Sequence, residues 1–173
     1  TNDDLLAVGV PIDDMTRENG CLLVIPGSHK DHIYDHHLNG AFAGAVTEPD
    51  FIGEGAVPIE IKAGGISIHH VRTLHGSTPN SSGNPRRLLL FMYCAIDAWP
   101  LVQPVKSWEE FNSKILRGEP IWEPRLADVP VRIPLPPAEH PGSIYEIQSV
   151  LKSSKVTPGD VGTSIPSGED KVA

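Results

Sequence analysis

Apolar residues in this chain fall into short runs divided by turn-forming residues, and the runs follow a period of two more often than 3.6. Residues 5–12 (LLAVGVPI) form a continuous apolar run ended by Pro11 and the pair Asp13-Asp14, the pattern of a strand buried on both faces. The polar stretch that follows closes with Asn19-Gly20, a turn signal that hands over to residues 21–25 as a second strand. Pro26-Gly27-Ser28-His29 stops that strand sharply. Residues 30–55 show no clean periodicity and read as a long loop, a length that in compact domains tends to accompany function. Over residues 56–62, Val57, Ile59 and Ile61 alternate with other residues as in a strand, and Ala63-Gly64-Gly65 turns the chain.

The stretch 64–94 (GGISIHHVRTLHGSTPNSSGNPRRLLLFMYC) organises the rest. Two strand-like runs flank a turn at residues 80–85, so an antiparallel hairpin is expected to bring His75 beside one of Arg86 and Arg87. Residues 87–96 are almost wholly apolar, which predicts cover on both faces. Alternation puts Leu88, Leu90, Met92 and Cys94 on one face with Arg86, and Leu89, Phe91, Tyr93 and Ala95 on the other; one face is expected to line a barrel interior and the other to lie under the tail. Residues 107–118 are the one convincing helix: Ser107 and Glu110 make a capping box, Trp108, Phe111 and Ile115 a stripe suited to packing, and Gly118 with Pro120 the stop. Prolines then recur, including Pro134, Pro136 and Pro137, as in an extended strap. Short strands without a βαβ rhythm or internal repeat predict an all-β sandwich or jelly roll. Residues 1–100 form a partial core, 101–152 a helix and proline-rich strap packed on it, and 153–173 a flexible tail.

Composition narrows the partners. Fourteen Lys and Arg against 22 Asp and Glu give a net charge of −8, which disfavours nucleic acid and anionic membrane surfaces as partners. No apolar run reaches the roughly 18 residues of a membrane span, and no basic-then-apolar signal opens the chain. A cytoplasmic protein is expected. Cys21 and Cys94 both lie in apolar runs and read as buried free thiols. The chain enters its first strand within a few residues of Thr1, as a processed or partial chain would.

Eight histidines in an acidic chain invite a metal reading. Non-haem Fe(II) oxygenases hold iron with two histidines and a carboxylate on one face, and a nearby basic residue anchors a dicarboxylate co-substrate through a bidentate pair. His75, closing a strand, suits the distal histidine, and Arg86 the clamp. Taken singly, each is more simply a structural histidine and a surface charge. His29-Lys30-Asp31 matches the letters His-x-Asp, but the pattern is short and follows Pro-Gly-Ser in a loop. His69 lies an even number of residues from His75 and shares its side; His70 points away, and both read as packing or support. Asn80-Ser81-Ser82 matches a glycosylation sequon, discounted for a cytoplasmic chain.

The block NGCLLVIPGSHK (residues 19–30), followed by residues 64–77 through His75-Gly76-Ser77 and then Arg86, resembles the phytanoyl-CoA dioxygenase family of Fe(II)/2-oxoglutarate oxygenases. The resemblance covers about residues 5–96, with a weaker echo over 107–124 and 142–148. It implies a double-stranded β-helix, a cupin-like jelly roll, here incomplete, with one C-terminal helix and an extended tail. It also implies Fe(II) with 2-oxoglutarate as co-substrate and O2 as oxidant. By position His75 corresponds to the distal iron histidine, Arg86 and not Arg87 to the arginine that binds the far carboxylate of 2-oxoglutarate, and Ser77 to a residue holding that same carboxylate.

The family's His-x-Asp pair lies upstream of the strand equivalent to residues 5–10, and His29-Lys30-Asp31 aligns instead with its Pro-Gly-Ser-His block. The chain thus corresponds to the C-terminal part of an oxygenase, with one iron ligand of three. Gly65 stands where many members have aspartate, which affects a turn. The implied activity is oxidative decarboxylation of 2-oxoglutarate coupled to hydroxylation of a small organic substrate, a dioxygenase reaction. The alternatives are a non-catalytic jelly-roll binding module, or a convergent site made by His29, Asp31 and His75. Absent strands would expose sheet edges and apolar interior, so self-association into a homo-oligomer or poor solubility is expected.

Overall fold

The computed structural model describes residues 1–101, 105–132 and 136–151. Two three-stranded sheets form its frame. In the first, β1 (Leu5–Pro11) lies between β6 (Ser67–His70) and β8 (Leu88–Cys94); in the second, β2 (Leu22–Val24) lies between β5 (Val57–Ile59) and β7 (His75–Ser77). Every pairing is antiparallel. The chain passes between the sheets from β1 to β2, from β5 to β6, from β6 to β7 and again from β7 to β8, which is the winding of a jelly roll left open rather than closed as a barrel.

This winding corrects the expected hairpin. β7 pairs with β2 and β8 with β1, so His75 and Arg86 belong to different sheets and are not cross-strand neighbours. The connection at residues 78–87 is long enough to cross between layers, whereas a two-residue turn would have forced direct pairing. Gly20 makes the crossing possible. Its φ is +76°, and a Cβ there would meet the Thr78 carbonyl oxygen at 2.4 Å, so the Asn19-Gly20 turn passes directly against the chain leaving β7.

Residues 30–55 are mostly irregular, as expected, but contain a small hairpin of β3 (His37–Leu38) and β4 (Ala41–Phe42). Helix α1 (Trp108–Asn112) is capped by Ser107, whose hydroxyl accepts from the Glu110 amide at 3.1 Å; it is shorter than the predicted 107–118. Trp108 stacks on Trp122 at 3.8 Å and Phe111 lies 4.9 Å from Trp99, so the stripe packs on the connections on both sides of the helix. A second helix, α2 (Ile144–Gln148), adds to the single one expected and carries a full capping box from Ser143 and Glu146. The extended segment before it is tied to the core through Arg125, whose guanidinium bonds Asp4 and, at 2.9 Å, Asp97. Pro134 and the tail at 153–173 lie outside the described residues.

β8 was expected to be covered on both faces and is not. From Leu89 to Tyr93 every residue is more than 40% exposed, Leu90 reaching 70% and Met92 65%. Cys94, expected buried, is exposed, while Cys21 is buried. The reason is position: β8 is an edge strand, and an apolar run specifies a strand that wants cover without supplying the layer that covers it. β1 shows the same effect, with Leu6 43% exposed although the strand is central. The isolated chain is expected to self-associate at micromolar concentration through this surface. Light scattering should show mass rising with concentration for the wild type and a monomer for Leu90→Lys combined with Met92→Lys; a monodisperse wild-type monomer would contradict the expectation.

Candidate active site

β7 supplies two of the expected residues. His75 stands opposite Val24 and Ser77 opposite Leu22, and strand alternation turns both side chains to one side. On β6, in the other sheet, His69 pairs with Ala7, and its ring lies 5.1 Å from that of His75. The two sheets therefore face one another here, across a pair of imidazoles. Burial, and after it the neighbouring His75, lowers the His69 pKa below the ordinary histidine value.

The two rings differ in their readiness to bind a metal. His75 Nδ1 is 2.8 Å from the Thr73 carbonyl oxygen. A carbonyl only accepts, so in the neutral ring the proton sits on Nδ1 and the lone pair on Nε2. Metal-bound histidines are usually held this way, with the second nitrogen donating to a carbonyl or carboxylate. His69 Nδ1, by contrast, is buried with no hydrogen-bond partner. Ligation through its Nε2 would leave a buried N–H unpaired, and ligation through Nδ1 would need access that the packing denies. His75 is suited to be a ligand and His69 to support it.

The same alternation disposes of His29-Lys30-Asp31. His29 packs its ring 5.4 Å from His70, and His70 and His69 are adjacent on β6 and face opposite ways. His29 and His75 are therefore separated by the sheet. The Asp31 carbonyl takes a hydrogen bond from Arg72, which also pairs with Asp3 at 3.0 Å. Among the described residues no group of three or more histidines, cysteines or carboxylates could hold a metal ion. His29, Asp31 and His75 thus do not assemble a convergent site.

Arg86 and Arg87 are also distinguished by their surroundings. Arg87 is committed to Asp13, donating from Nε at 2.9 Å and from a terminal nitrogen at 2.8 Å, while its amide reaches the same carboxylate at 2.8 Å. These bonds hold the Asp13 pKa down at about 2. Arg86 is half-buried and makes no ion pair among the described residues. Its charge reaches the Cys21 thiol, where burial raises the pKa and Arg86 opposes the rise.

A separate open pocket of about 350 Å3 is lined by Asp31, Tyr34, Glu48, Asp50, Phe51 and Glu54 among others. Its carboxylates would repel a dicarboxylate. Alternation along β6 separates His69 from His70, but the meeting of His69 with His75 comes from the facing of the two sheets. The Ser28 hydroxyl, which bonds just ahead of His75, was passed over in the sequence because its block marks a strand end.

Comparison with known proteins places the chain in a family. The family model described as phytanoyl-CoA dioxygenase matches residues 1–88. The probable alpha-ketoglutarate-dependent hypophosphite dioxygenase of Stutzerimonas stutzeri is 37% identical over 158 residues, covering 87% of this chain and 54% of its own length. Phytanoyl-CoA dioxygenase domain-containing protein 1 of Danio rerio is 34% identical over 94 residues, 50% of this chain and 32% of its own. The chain thus spans about half the length of the first relative and a third of the second. Among solved structures, the epimerase SnoN, crystallised with Fe3+, alpha ketoglutarate and nogalamycin RO, superposes with a TM-score of 0.47 at 28% identity, covering 72% of this chain and 48% of that one. With the family model matched over half its length, the chain belongs to the phytanoyl-CoA dioxygenase family.

Proposed function

We propose that this chain carries the distal metal histidine and the co-substrate clamp of an Fe(II)/2-oxoglutarate-dependent dioxygenase. His75 would donate to iron through Nε2, and Arg86 with Ser77 would hold the far carboxylate of 2-oxoglutarate. The observation that carries this reading is the 2.8 Å contact from His75 Nδ1 to the Thr73 carbonyl, which leaves Nε2 as the electron-pair donor. Bound iron would supply the oxidising chemistry, coupling 2-oxoglutarate decarboxylation by O2 to hydroxylation of a small molecule. The residues present orient one ligand and one co-substrate carboxylate, a charge-assisted task for which a planar guanidinium is suited.

The hypophosphite dioxygenase relative suggests the substrate class. Its similarity runs over 158 residues and so continues beyond residue 88, where the family model ends. A small phosphorus oxyanion is therefore the first class to test, ahead of the acyl-CoA of the family name.

A single well-placed imidazole binds a divalent ion weakly. Anaerobic titration of these 173 residues with Fe(II) and 2-oxoglutarate is expected to give a dissociation constant well above micromolar, and admission of O2 afterwards no succinate. The site itself is tested with Mn(II), whose paramagnetism should broaden the NMR signals of the His75 ring and of the His69 ring 5.1 Å away more than those of His29; the broadening of His69 should be lost in His75→Ala. Broadening centred on His29 and Asp31, or micromolar Fe(II) binding with succinate release, would overturn the reading.

A further inference from the structure

The Pro26-Gly27-Ser28-His29 block has so far only ended a strand. Gly27 takes a left-handed φ of 83°, which folds the chain into a short 3-10 turn over Ser28–Lys30. That turn buries Ser28, a small polar residue, to 3% exposure. Its hydroxyl is fully used: it donates to the Ile25 carbonyl at 2.7 Å and accepts from the Leu74 amide at 2.8 Å. Leu74 immediately precedes His75. The Ile25 amide in turn donates to the Leu74 carbonyl at 3.0 Å, so Leu74 is bonded on both sides to the end of β2.

We propose that Ser28 is a positioning residue for His75, fixing through the Leu74 amide the Thr73 carbonyl that orients the His75 ring. The inference rests on the reading of His75 as the metal histidine. The ladder between β2 and β7 ends at Val24 and His75; beyond it the Ile25 amide holds the Leu74 carbonyl, while among the described residues the Leu74 amide is held by no backbone carbonyl but by Ser28. Ser28 supplies that hold by side chain. Without its hydroxyl the Leu74 amide would lose its partner, and the Thr73–Leu74 peptide, which carries both that amide and the Thr73 carbonyl, could tilt until the carbonyl no longer faced Nδ1. The ring would then be free to place its proton on either nitrogen. Metal-bound histidines deprived of such support typically lose about 10–100-fold in metal affinity.

The test reads the ring directly. Long-range proton–nitrogen NMR spectra at about pH 8, where imidazoles are neutral, should show His75 in a single tautomer with the proton on Nδ1. Ser28→Ala is expected to give a mixture of tautomers and about tenfold weaker Mn(II) broadening of His75, and Ser28→Thr, which keeps the hydroxyl, should restore both. Asn19→Ala provides the comparison: Asn19 is buried to 5% exposure and bonds the Asp14 carbonyl at 2.7 Å in another turn, so its loss should lower stability and leave the His75 tautomer unchanged. Should Ser28→Ala fail to fold, Ser28→Cys, of similar size but a weaker hydrogen-bonding group, is read the same way. A Ser28 variant that loses stability while His75 keeps its tautomer and its Mn(II) response would overturn the proposal. The two readings fail separately. His75→Ala without effect on the Mn(II) broadening of the His69 ring would remove the metal assignment, while the tautomer comparison would still decide whether Ser28 orients the ring.

Discussion

Arg86→Leu is expected to remove 2-oxoglutarate binding, measured in the presence of Mn(II), while Arg87→Leu leaves it in place. Truncating one partner of a hydrogen-bonded charge pair costs about 2–5 kcal/mol, or about 30-fold and upward in affinity. Adjacent residues on one strand end would ordinarily be hard to tell apart. Here Arg87 is already engaged by Asp13 on two side-chain nitrogens, whereas Arg86 makes no ion pair among the described residues. Arg86→Lys keeps the charge and loses the planar fork, so it should fall between the two. The Arg87 variant has its own signature. The Asp13 pKa is about 2 in the folded chain against an ordinary 3.8, so the bond stabilises the fold fully above the ordinary value and ceases to do so as pH falls through about 2. The melting temperatures of wild type and Arg87→Leu should therefore differ at neutral pH and converge in strong acid. Loss of 2-oxoglutarate binding in Arg87→Leu and not in Arg86→Leu would reverse the assignment.

Alternation was the most informative feature of the sequence, because the side-chain period of a strand is a covalent property of the chain. It put His69 and His70 on opposite faces of β6, and the ring contacts at 5.1 Å and 5.4 Å follow that division; the meeting of His69 with His75 comes instead from two sheets facing one another, since the single strand assumed over residues 69–75 is broken at residues 71–74. It turned Arg86 and Arg87 to opposite sides, and Arg87 is found on the surface with Asp13. Period says nothing of which strand pairs with which. The turn-rich stretch before Arg86 therefore read as a hairpin loop, although it crosses between sheets. Nor does an apolar run report whether a covering layer is present, which is why β8 was expected to be buried and is exposed. The second helix was legible in letters, since Ser143 and Glu146 stand in capping-box spacing, but the surrounding prolines favoured an extended reading. The role of Ser28 was not legible at all. Its partner Leu74 is 46 residues away, and only the folded chain joins them.

Leu23→Ala is expected to unfold the chain under conditions in which the wild type is folded. Leu23 is 2% exposed and, with Ala56, forms the buried cluster against which Ile25 and Phe51 pack. Large-to-small changes at such sites cost about 2–5 kcal/mol, against a total stability of about 5–15 kcal/mol for ordinary domains. This chain belongs at the low end of that range. Its buried hydrophobic residues are few and mostly small, with Met15 and Leu23 the large aliphatic ones among the described residues. Leu23 also sits at the centre of β2, paired with Pro58 on one side and Gly76 on the other, so the strand it anchors is the one that holds His75 and Ser77 in register. Urea titration followed by circular dichroism should show the transition lost or moved to very low denaturant for Leu23→Ala. Leu23→Met, which conserves volume, should cost less than about 1.5 kcal/mol, and Leu116→Ala, at a position 79% exposed, should stay within about 0.5 kcal/mol of wild type. If Leu23→Ala melted with the wild type, the second sheet would have to be held by its hydrogen-bonded ladders alone. The candidate site would then owe its geometry to backbone pairing and not to the packing beneath it.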